Sequence, residues 1–452
     1  MNTLNSEQSI IFEKYKNGEN VFITGPAGSG KSYLIKQIVN YSEENNKKIQ
    51  VCALTGCASI LLNCKATTLH RFAGIGLANK NMEEVLNEVF IKRYKLKKWY
   101  FLNCLIIDEV SMMSLKILLI LDKIGRKLYN KPNIPFGGLQ LIFSGDFYQL
   151  PPIKSNDVEK EASMFCFEHA LWYEIFPISN QIILKSIFRQ DEVEFLKVLK
   201  YVRRGRITPT TKETLEKRVF SVEEIDKLRQ ENVITIISPY KKDTDNINAL
   251  EYKKLSDDVE KRQYAIKYLK GSKKTELTVE SEMYKLVINS NASLKNDYEF
   301  LANNIMAYKI LELKIGTHVM CIANISLDDD IQLANGSQGI VVGFSNNLPL
   351  VKFNNIIEPI LVNYYNWNSE VNKNVAVSQI PLIYAWAITI HKSQGLSLDA
   401  AIMDIGSNIF ECGQTYVALS RVRNLNGLYL SSFDYTKIFA NPKVKKFYND
   451  DK

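Results

Sequence analysis

Residues 25–32 read Gly-Pro-Ala-Gly-Ser-Gly-Lys-Ser, a complete G-x-x-x-x-G-K-S spacing. The apolar run VFIT at 21–24 precedes it and a helical pattern at 31–42 follows. Strand, glycine-rich turn and helix in that order commit the first part of the chain to an α/β sheet with parallel strands. Glycines there let backbone N–H groups curl around a phosphate at the start of the helix. Gly25, Pro26, Ala27, Gly28, Ser29, Gly30, Lys31 and Ser32 are therefore expected to hold the phosphates of ATP. Lys31 would reach the β- and γ-phosphates, and the Ser32 hydroxyl would ligate Mg²⁺.

A second segment completes this chemistry. The apolar run Leu105-Ile-Ile ends in Asp108 and Glu109, which places two carboxylates at the C-terminal edge of a strand. Asp108 is expected to hold the magnesium. Glu109 is placed to orient or deprotonate an attacking water, so phosphoryl transfer to water is the expected reaction. Gln149, in GDFYQLPP after the run LQLIFS, should emerge at the same edge, where a γ-phosphate sensor must sit. Gln8 precedes the first strand, and its amide can pair with both the N6 and N7 edges of adenine.

The rest of the chain repeats the pattern. Runs at 21–24, 49–54, 104–108 and 139–144 read as strands buried on both faces, with helical patterns at 31–42 and 114–129. A second series at 233–238, 385–390, 400–405 and 427–432 reads as a second α/β sheet. Two stretches interrupt these series. Residues 71–102 are basic and aromatic, and residues 315–380 consist of short strands separated by Gly, Asn and Pro, as in a small β-barrel. The Lys-, Asn- and Glu-rich stretch 240–310 reads as a solvated helical layer.

At 452 residues the chain has room for about two to four domains. The net charge of +8 permits a nucleic-acid partner without requiring one. The sequence contains no apolar run of 18 residues, so no membrane partner is expected. Seven cysteines with no C-x-x-C pair read as free buried thiols in a reducing, intracellular compartment.

FITGPAGSGKS, LIIDEVSMM, FGGLQLIFSGDFYQLPP, the segment Ile187-Phe-Arg189-Gln190, AWAITIHKSQGLSLD and GQTYVALSRV occur in that order. Together they resemble the Pif1-like helicases of superfamily 1B, related to the RecD2 and Dda types. The resemblance runs from about residue 4 to 435. The segments Leu54-Thr-Gly-Cys-Ala58 and Thr68–Gly76 are similar to the Pif1 branch in particular.

The resemblance implies two RecA-like domains with ATP in their cleft. Domain 1A would take residues 1–70 and 103–188, and domain 2A residues 189–314 and 381–452. An insertion 1B would span 71–102 and an SH3-like insertion 2B would span 315–380. The resemblance further implies 5′→3′ movement on single-stranded DNA and unwinding of forked or tailed duplex DNA. Arg189 and Arg421 match arginine fingers contributed by domain 2A, and Gln394 and Gly395 match the motif linking ATP to DNA. Thr55, Gly56, His70, Phe72, Thr389, His391 and Ser393 match DNA contacts.

A monomer working at sites of DNA replication, with replication or repair proteins as partners, is the expected setting. Residues 71–102 would act as a wedge at the fork; the alternative is that they cover the 1A core. The cation–aromatic run 92–101 and the cluster Arg203, Arg204 and Arg206 read either as DNA contacts or as solvated surface. Two other functions fit the same residues: a nucleic-acid-stimulated ATPase that displaces bound proteins, and an RNA-directed motor.

Overall fold

The computed structural model describes residues 4–450 except 63, 77, 79, 92, 153–158, 271–274, 278–291, 327–331, 334, 355 and 370–373. Six parallel strands form the first sheet, in the order Thr67–Thr68, Ile49–Ala53, Cys104–Asp108, Gln140–Gly145, Val21–Thr24, Gln181–Ile183. Val21–Thr24 and Cys104–Asp108 are buried along their whole length, as strands covered by helices on both faces must be. The register sets Thr24 beside Gly145 and Ile107 beside Phe143. The phosphate loop, Asp108–Glu109 and Asp146 thus leave the same sheet edge on adjacent strands.

Two helices show how the sequence builds this layer. Lys31–Glu44 buries Leu34, Ile35, Ile38 and Val39, spaced to one helical face. Leu115–Leu128 starts where the Ser114 hydroxyl accepts the Ile117 N–H, an N-cap that satisfies one orphan donor.

The second sheet is also parallel, in the order Ala387–Thr389, Thr235–Ser238, Ala401–Ile405, Leu428–Phe433. The final helix, Pro442–Phe447, crosses back to the first core. There Phe447 packs against Phe22, Phe147, Phe167 and Trp172.

The stretch 240–310 corrects one expectation. It begins as the helix Lys241–Lys254 and closes with Ala292–Asn304, yet strands Lys261–Ala265, Lys267–Lys270 and Thr275–Leu277 lie between. Lys261–Ala265 buries only Tyr264, too little to stand out as a period of two in a charged sequence. It pairs with Ile310–Lys314, and Lys267–Lys270 pairs with Val375–Gln379. A five-stranded antiparallel sheet follows, in the order Ile360–Leu361, Leu348–Phe353, Gln338–Ser345, His318–Cys321, Leu382–Tyr384.

Residues 71–102 contain the end of helix Leu69–Ala73, the helix Met82–Ile91 and the 3-10 segment Arg93–Phe101. Their inner side is part of the first core. Val85, Leu86, Val89, Leu96 and Trp99 are buried in the same cluster as Leu105, Leu118 and Leu121. Phe72 is 3% exposed and stacks on Trp99 with ring centroids 4.9 Å apart. An aromatic so enclosed has no face to offer a base, which removes Phe72 from the expected DNA contacts. Covering the core is thus one role of this insertion, as in the alternative reading.

The thiols of Cys52, Cys64, Cys104, Cys166 and Cys321 are buried and unbridged. Among the described residues no helix is long and apolar enough to cross a membrane.

Trp99→Ala would remove the largest side chain of the insertion from a site with 0% exposure. Loss of a buried tryptophan costs about 3–5 kcal/mol. Denaturant unfolding should show that loss, whereas Tyr100→Ala, at an exposed neighbour, should leave stability nearly unchanged.

Candidate active site between the two parallel sheets

A cleft of about 870 Å³ opens between the sheets, lined by Gly28, Lys31, Ser32, Asp108, Glu109, Gln149, Arg189, His391, Gln394 and Arg421 among others. The phosphate loop forms one wall. Gly28 and Gly30 adopt φ of 77° and 84°, and Gly30 caps the helix Lys31–Glu44. A Cβ on Gly28 would lie 2.5 Å from that of Arg189, so only glycine fits there. Lys31 Nζ donates to the carbonyls of Gly25 at 2.7 Å and Pro26 at 3.0 Å. Burial lowers the Lys31 pKa, while Asp146, Glu109 and Asp108 work to keep it charged. Ser32 is exposed on the same wall.

The floor is acidic. Burial raises the pKa of Asp108, and the Ser144 hydroxyl and Lys31 pull it partly back. Glu109 stands in the left-handed region at φ 58° and ψ 39°. A residue other than glycine costs about 1–2 kcal/mol in that conformation, and such strain clusters where a side chain must be aimed. Burial and then Asp108 push its carboxyl up to about 7. Glu109 Oε2 is buried and has no hydrogen-bond partner among the described residues. A carboxyl on a strained residue, with one oxygen lacking a hydrogen bond and a pKa near neutrality, is equipped to take a proton.

Asp146 is fully buried and accepts from Arg203 twice, at 2.8 Å from Nε and 2.7 Å from Nη2. The Arg203 guanidinium lies 4.7 Å from the Tyr148 ring centre and 5.6 Å from that of Tyr448. Arg204 pairs with Asp450 at 3.4 Å, and Arg206 donates to the Asp450 carbonyl. The three arginines of that cluster therefore bind the protein's own acceptors. Arg203 is thus tied to the buried Asp146, while Arg206 stays exposed.

Arg421 is 1% exposed, with its guanidinium on the carbonyls of Val417 at 2.7 Å, Ser393 at 3.1 Å and Leu396 at 3.4 Å. Burial and then Arg189 lower its pKa, so the pair of guanidiniums is electrostatically short of an anion. Arg189 donates to the Ser420 carbonyl at 3.3 Å. It follows strand Gln181–Ile183 of the first sheet and abuts Gly28, rather than arriving from the second sheet. Gln394 Nε2 meets Gln149 Oε1 at 3.4 Å, a direct link between the segments flanking the cleft. Gly395, at φ 85°, follows on the rim.

Gln8 sits behind the loop. Its Oε1 accepts the Asn5 N–H at 3.1 Å in a capping box, and its Nε2 would be 2.8 Å from a Cβ on Gly30. Part of its hydrogen-bonding capacity thus serves the first helix.

The remaining expected contacts are mixed. Thr389 caps the turn Ile390–Ser393 by accepting the Lys392 N–H, and the fully buried Ser393 hydroxyl donates to the Ile390 carbonyl. The Ser393 O–H is thereby spent on backbone, which corrects the expectation that it faces a strand, whereas the Thr389 hydroxyl, which only accepts, keeps its own O–H. Thr55 Oγ1 accepts the Ala58 N–H, yet the residue still lines the cleft. Gly56 lies directly under the Asn304 side chain. His70 is half-buried, with its pKa lowered by burial, while His391 is exposed at the cleft mouth.

Sequence reasoning missed Tyr416, whose hydroxyl accepts the Ala27 N–H of the phosphate loop at 2.8 Å. Its place in GQTYVALSRV, five residues before Arg421, was the available signal. It also missed Tyr448, which bonds Thr24 at 2.6 Å and lies too far along the chain for any local pattern to reveal.

The chain matches the family description "PIF1-like helicase" over residues 3–213 and "DNA helicase Pif1, 2B domain" over residues 298–344. The ATP-dependent DNA helicase PIF1 of Xenopus laevis is 34% identical over 453 residues, covering 99% of this chain and 64% of the relative. The chain thus spans just under two thirds of that relative's length. The crystal structure of Pif1 helicase from Candida albicans is 30% identical, with full coverage of both chains and a TM-score of 0.67. Bacteroides sp Pif1 in complex with ADP-AlF4 is 28% identical, covering 99% of this chain and 97% of that one, with a TM-score of 0.74. Shared identity along the whole of a solved Pif1 chain, with the phosphate loop and both carboxylates converging on one cleft, shows that this chain belongs to the PIF1-like helicase family.

Proposed function

We propose that this chain is an ATP-dependent DNA helicase that hydrolyses ATP in the cleft and moves 5′→3′ along single-stranded DNA. One observation carries the reading. A single cleft joins Lys31, Asp108 and Glu109 from the first sheet with Gln394 and Arg421 from the segments around the second. The names of the relatives support DNA as the track, and the ADP-AlF4 complex supports the nucleotide. Direction of movement rests on the family resemblance.

Lys31 would leave the loop carbonyls for the β- and γ-phosphates, a better electrostatic partner for a buried ammonium. The exposed Ser32 hydroxyl and the Asp108 carboxylate suit Mg²⁺, which keeps waters and needs few protein ligands. That ion would neutralise charge between the phosphates. Glu109 Oε2 would accept the proton of the attacking water. Arg421 and Arg189 would meet the charge that grows on the γ-phosphoryl oxygens. The Arg421 carbonyl partners lie on the second-sheet side, so its delivery depends on how the two sheets approach.

The proposed domain division follows the same logic. Domains 1A and 2A each hold one parallel sheet, 1B is the insertion at 71–102, and 2B is the antiparallel unit around 315–380. Within 1B, the exposed Ile91, Tyr100 and Phe101 are the groups that could meet a fork, since the opposite side is core. A monomer acting at sites of DNA replication, with replication or repair proteins as partners, is the proposed setting.

Unwinding of a duplex with a 5′ or a 3′ single-stranded tail tests the whole reading. The 5′-tailed substrate should be separated with ATP, and Lys31→Ala should lose both unwinding and most hydrolysis while still binding DNA. Unwinding that persists in Lys31→Ala would contradict the site. Arg421→Ala should bind ATP and hydrolyse it about 10³-fold or more slowly, as for other arginine fingers. A rise in KM with kcat preserved would instead make Arg421 a binding group.

The pH profile tests Glu109. Its carboxyl is raised to about 7, so below that pH it is protonated and cannot accept a proton. kcat/KM should rise with pH and level off above about 7, and pH 6 should lie roughly tenfold below the plateau. In Glu109→Gln that limb should vanish along with most activity. An unchanged limb in the variant would assign the titration elsewhere.

A further inference from the structure

The short helix Gln414–Leu419 sends two side chains to different places. Arg421, just beyond its end, turns inward onto the carbonyls of Val417, Ser393 and Leu396. Tyr416 reaches the other wall, where its hydroxyl accepts the Ala27 N–H at 2.8 Å. Among the described hydrogen bonds, this is the one that ties the helix to the phosphate loop.

The loop is otherwise held by its own side of the cleft. Lys31 takes the Gly25 and Pro26 carbonyls, and the Phe188 N–H donates to the Gly28 carbonyl. Pro26 has no N–H, so Ala27 supplies the first donor after Gly25. Without Tyr416 that donor would be a buried orphan. The tyrosine is itself buried, beside Asp146, Arg203 and Arg421. Burial pushes its phenol up to about 12, so it stays neutral and able to accept this bond at working pH. The position of Gly413 adds to the fit: a Cβ there would lie 2.5 Å from the Gln149 carbonyl oxygen, so the start of the helix is seated against the γ-phosphate-side segment. Ring packing alone would explain a phenylalanine at 416. It does not explain a hydroxyl set on a backbone N–H of the loop.

We propose that Tyr416 is a positioning residue whose hydroxyl bonds the phosphate loop to the helix that precedes Arg421, so that loop and arginine keep a common register. The inference rests on the reading of the cleft as a site of ATP hydrolysis. Ala27 and Arg421 both line that cleft, while Tyr416 does not. Its effect therefore passes through its neighbours, not through contact with substrate.

The test is Tyr416→Phe, which deletes one oxygen and keeps the ring. The chain should stay folded, with Tm lowered by the orphaned Ala27 N–H, and ADP affinity should stay within twofold of the parent chain. kcat should fall roughly tenfold, the scale of one well-placed hydrogen bond expressed in the transition state. Affinity for ADP with aluminium fluoride should fall by a similar factor. In an Arg421→Ala background the same substitution should change kcat less than twofold, because the arginine whose register it sets is gone. Unchanged kcat and unchanged ADP–aluminium fluoride binding would overturn the proposal. So would full multiplicative losses in the double variant, or a loss of ADP affinity with kcat intact. A parent chain that does not hydrolyse ATP would overturn the functional reading instead, and the comparison of ADP with ADP–aluminium fluoride binding would still decide the role of Tyr416.

Discussion

Everything in the cleft depends on burying carboxylates at the edge of one parallel sheet. Asp108, Glu109 and Asp146 leave neighbouring strands within a protein interior that penalises their charge. Lys31, Arg189, Arg203 and Arg421 gather around them. Four cations face three carboxylates, and burial keeps Glu109 protonated over part of the neutral range. The balance is positive, and burial lowers the pKa of Lys31, Arg189 and Arg421. That balance suits an anion of high charge density such as the proposed triphosphate, to which the loop N–H groups would give directional contacts.

One of the cations is committed differently. Arg203 is bidentate to Asp146, and its pKa is raised where those of Lys31, Arg189 and Arg421 fall. Removing either partner would strand a buried charge, so this pair holds its geometry firmly. Tyr148 and Tyr448 flank it, and Tyr448 also reaches Thr24 at the end of the strand that feeds the phosphate loop. The returning helix Pro442–Phe447 thus anchors the end of the described chain to the first core. By contrast, the Gln149–Gln394 link at 3.4 Å and the Arg189 contact at 3.3 Å are long single bonds. Contacts across the cleft are thus of two kinds, firm at Asp146–Arg203 and at the 2.8 Å Ala27–Tyr416 bond, and long at the mouth.

The sequence made the proposed ATP site legible because its chemistry is local. G-x-x-x-x-G-K-S and the paired carboxylates are contiguous, and the strands that carry them are unbroken apolar runs. Motifs fell short where a side chain's partner is remote. Ser393 and Phe72 stand where a family motif suggests strand contacts, yet their partners are a turn carbonyl and the Trp99 ring. Arg203 reads as surface charge until Asp146, 57 positions away in sequence, is seen beneath it. Lys261–Ala265 and Lys267–Lys270 were hidden because each buries a single side chain, which leaves no period to detect.

These corrections change how a strand could be gripped. The Ser393 O–H is spent on the Ile390 carbonyl and Thr389 accepts the Lys392 N–H, so both hold the turn that carries His391. On the first sheet, Gly56 lies under Asn304, and Arg71 pairs with the buried Asp297 while lying 4.1 Å from the Phe300 ring centre. Helix Ala292–Asn304 thus covers the segment that the motifs assign to DNA. A strand laid there would have to displace Asn304 and compete with Asp297 for Arg71. A phosphate can do both, because it carries the charge that Asp297 supplies and accepts N–H groups without reading a base. The grip would then be blind to sequence and coupled to movement of that helix, which suits a motor that must release and rebind at every step.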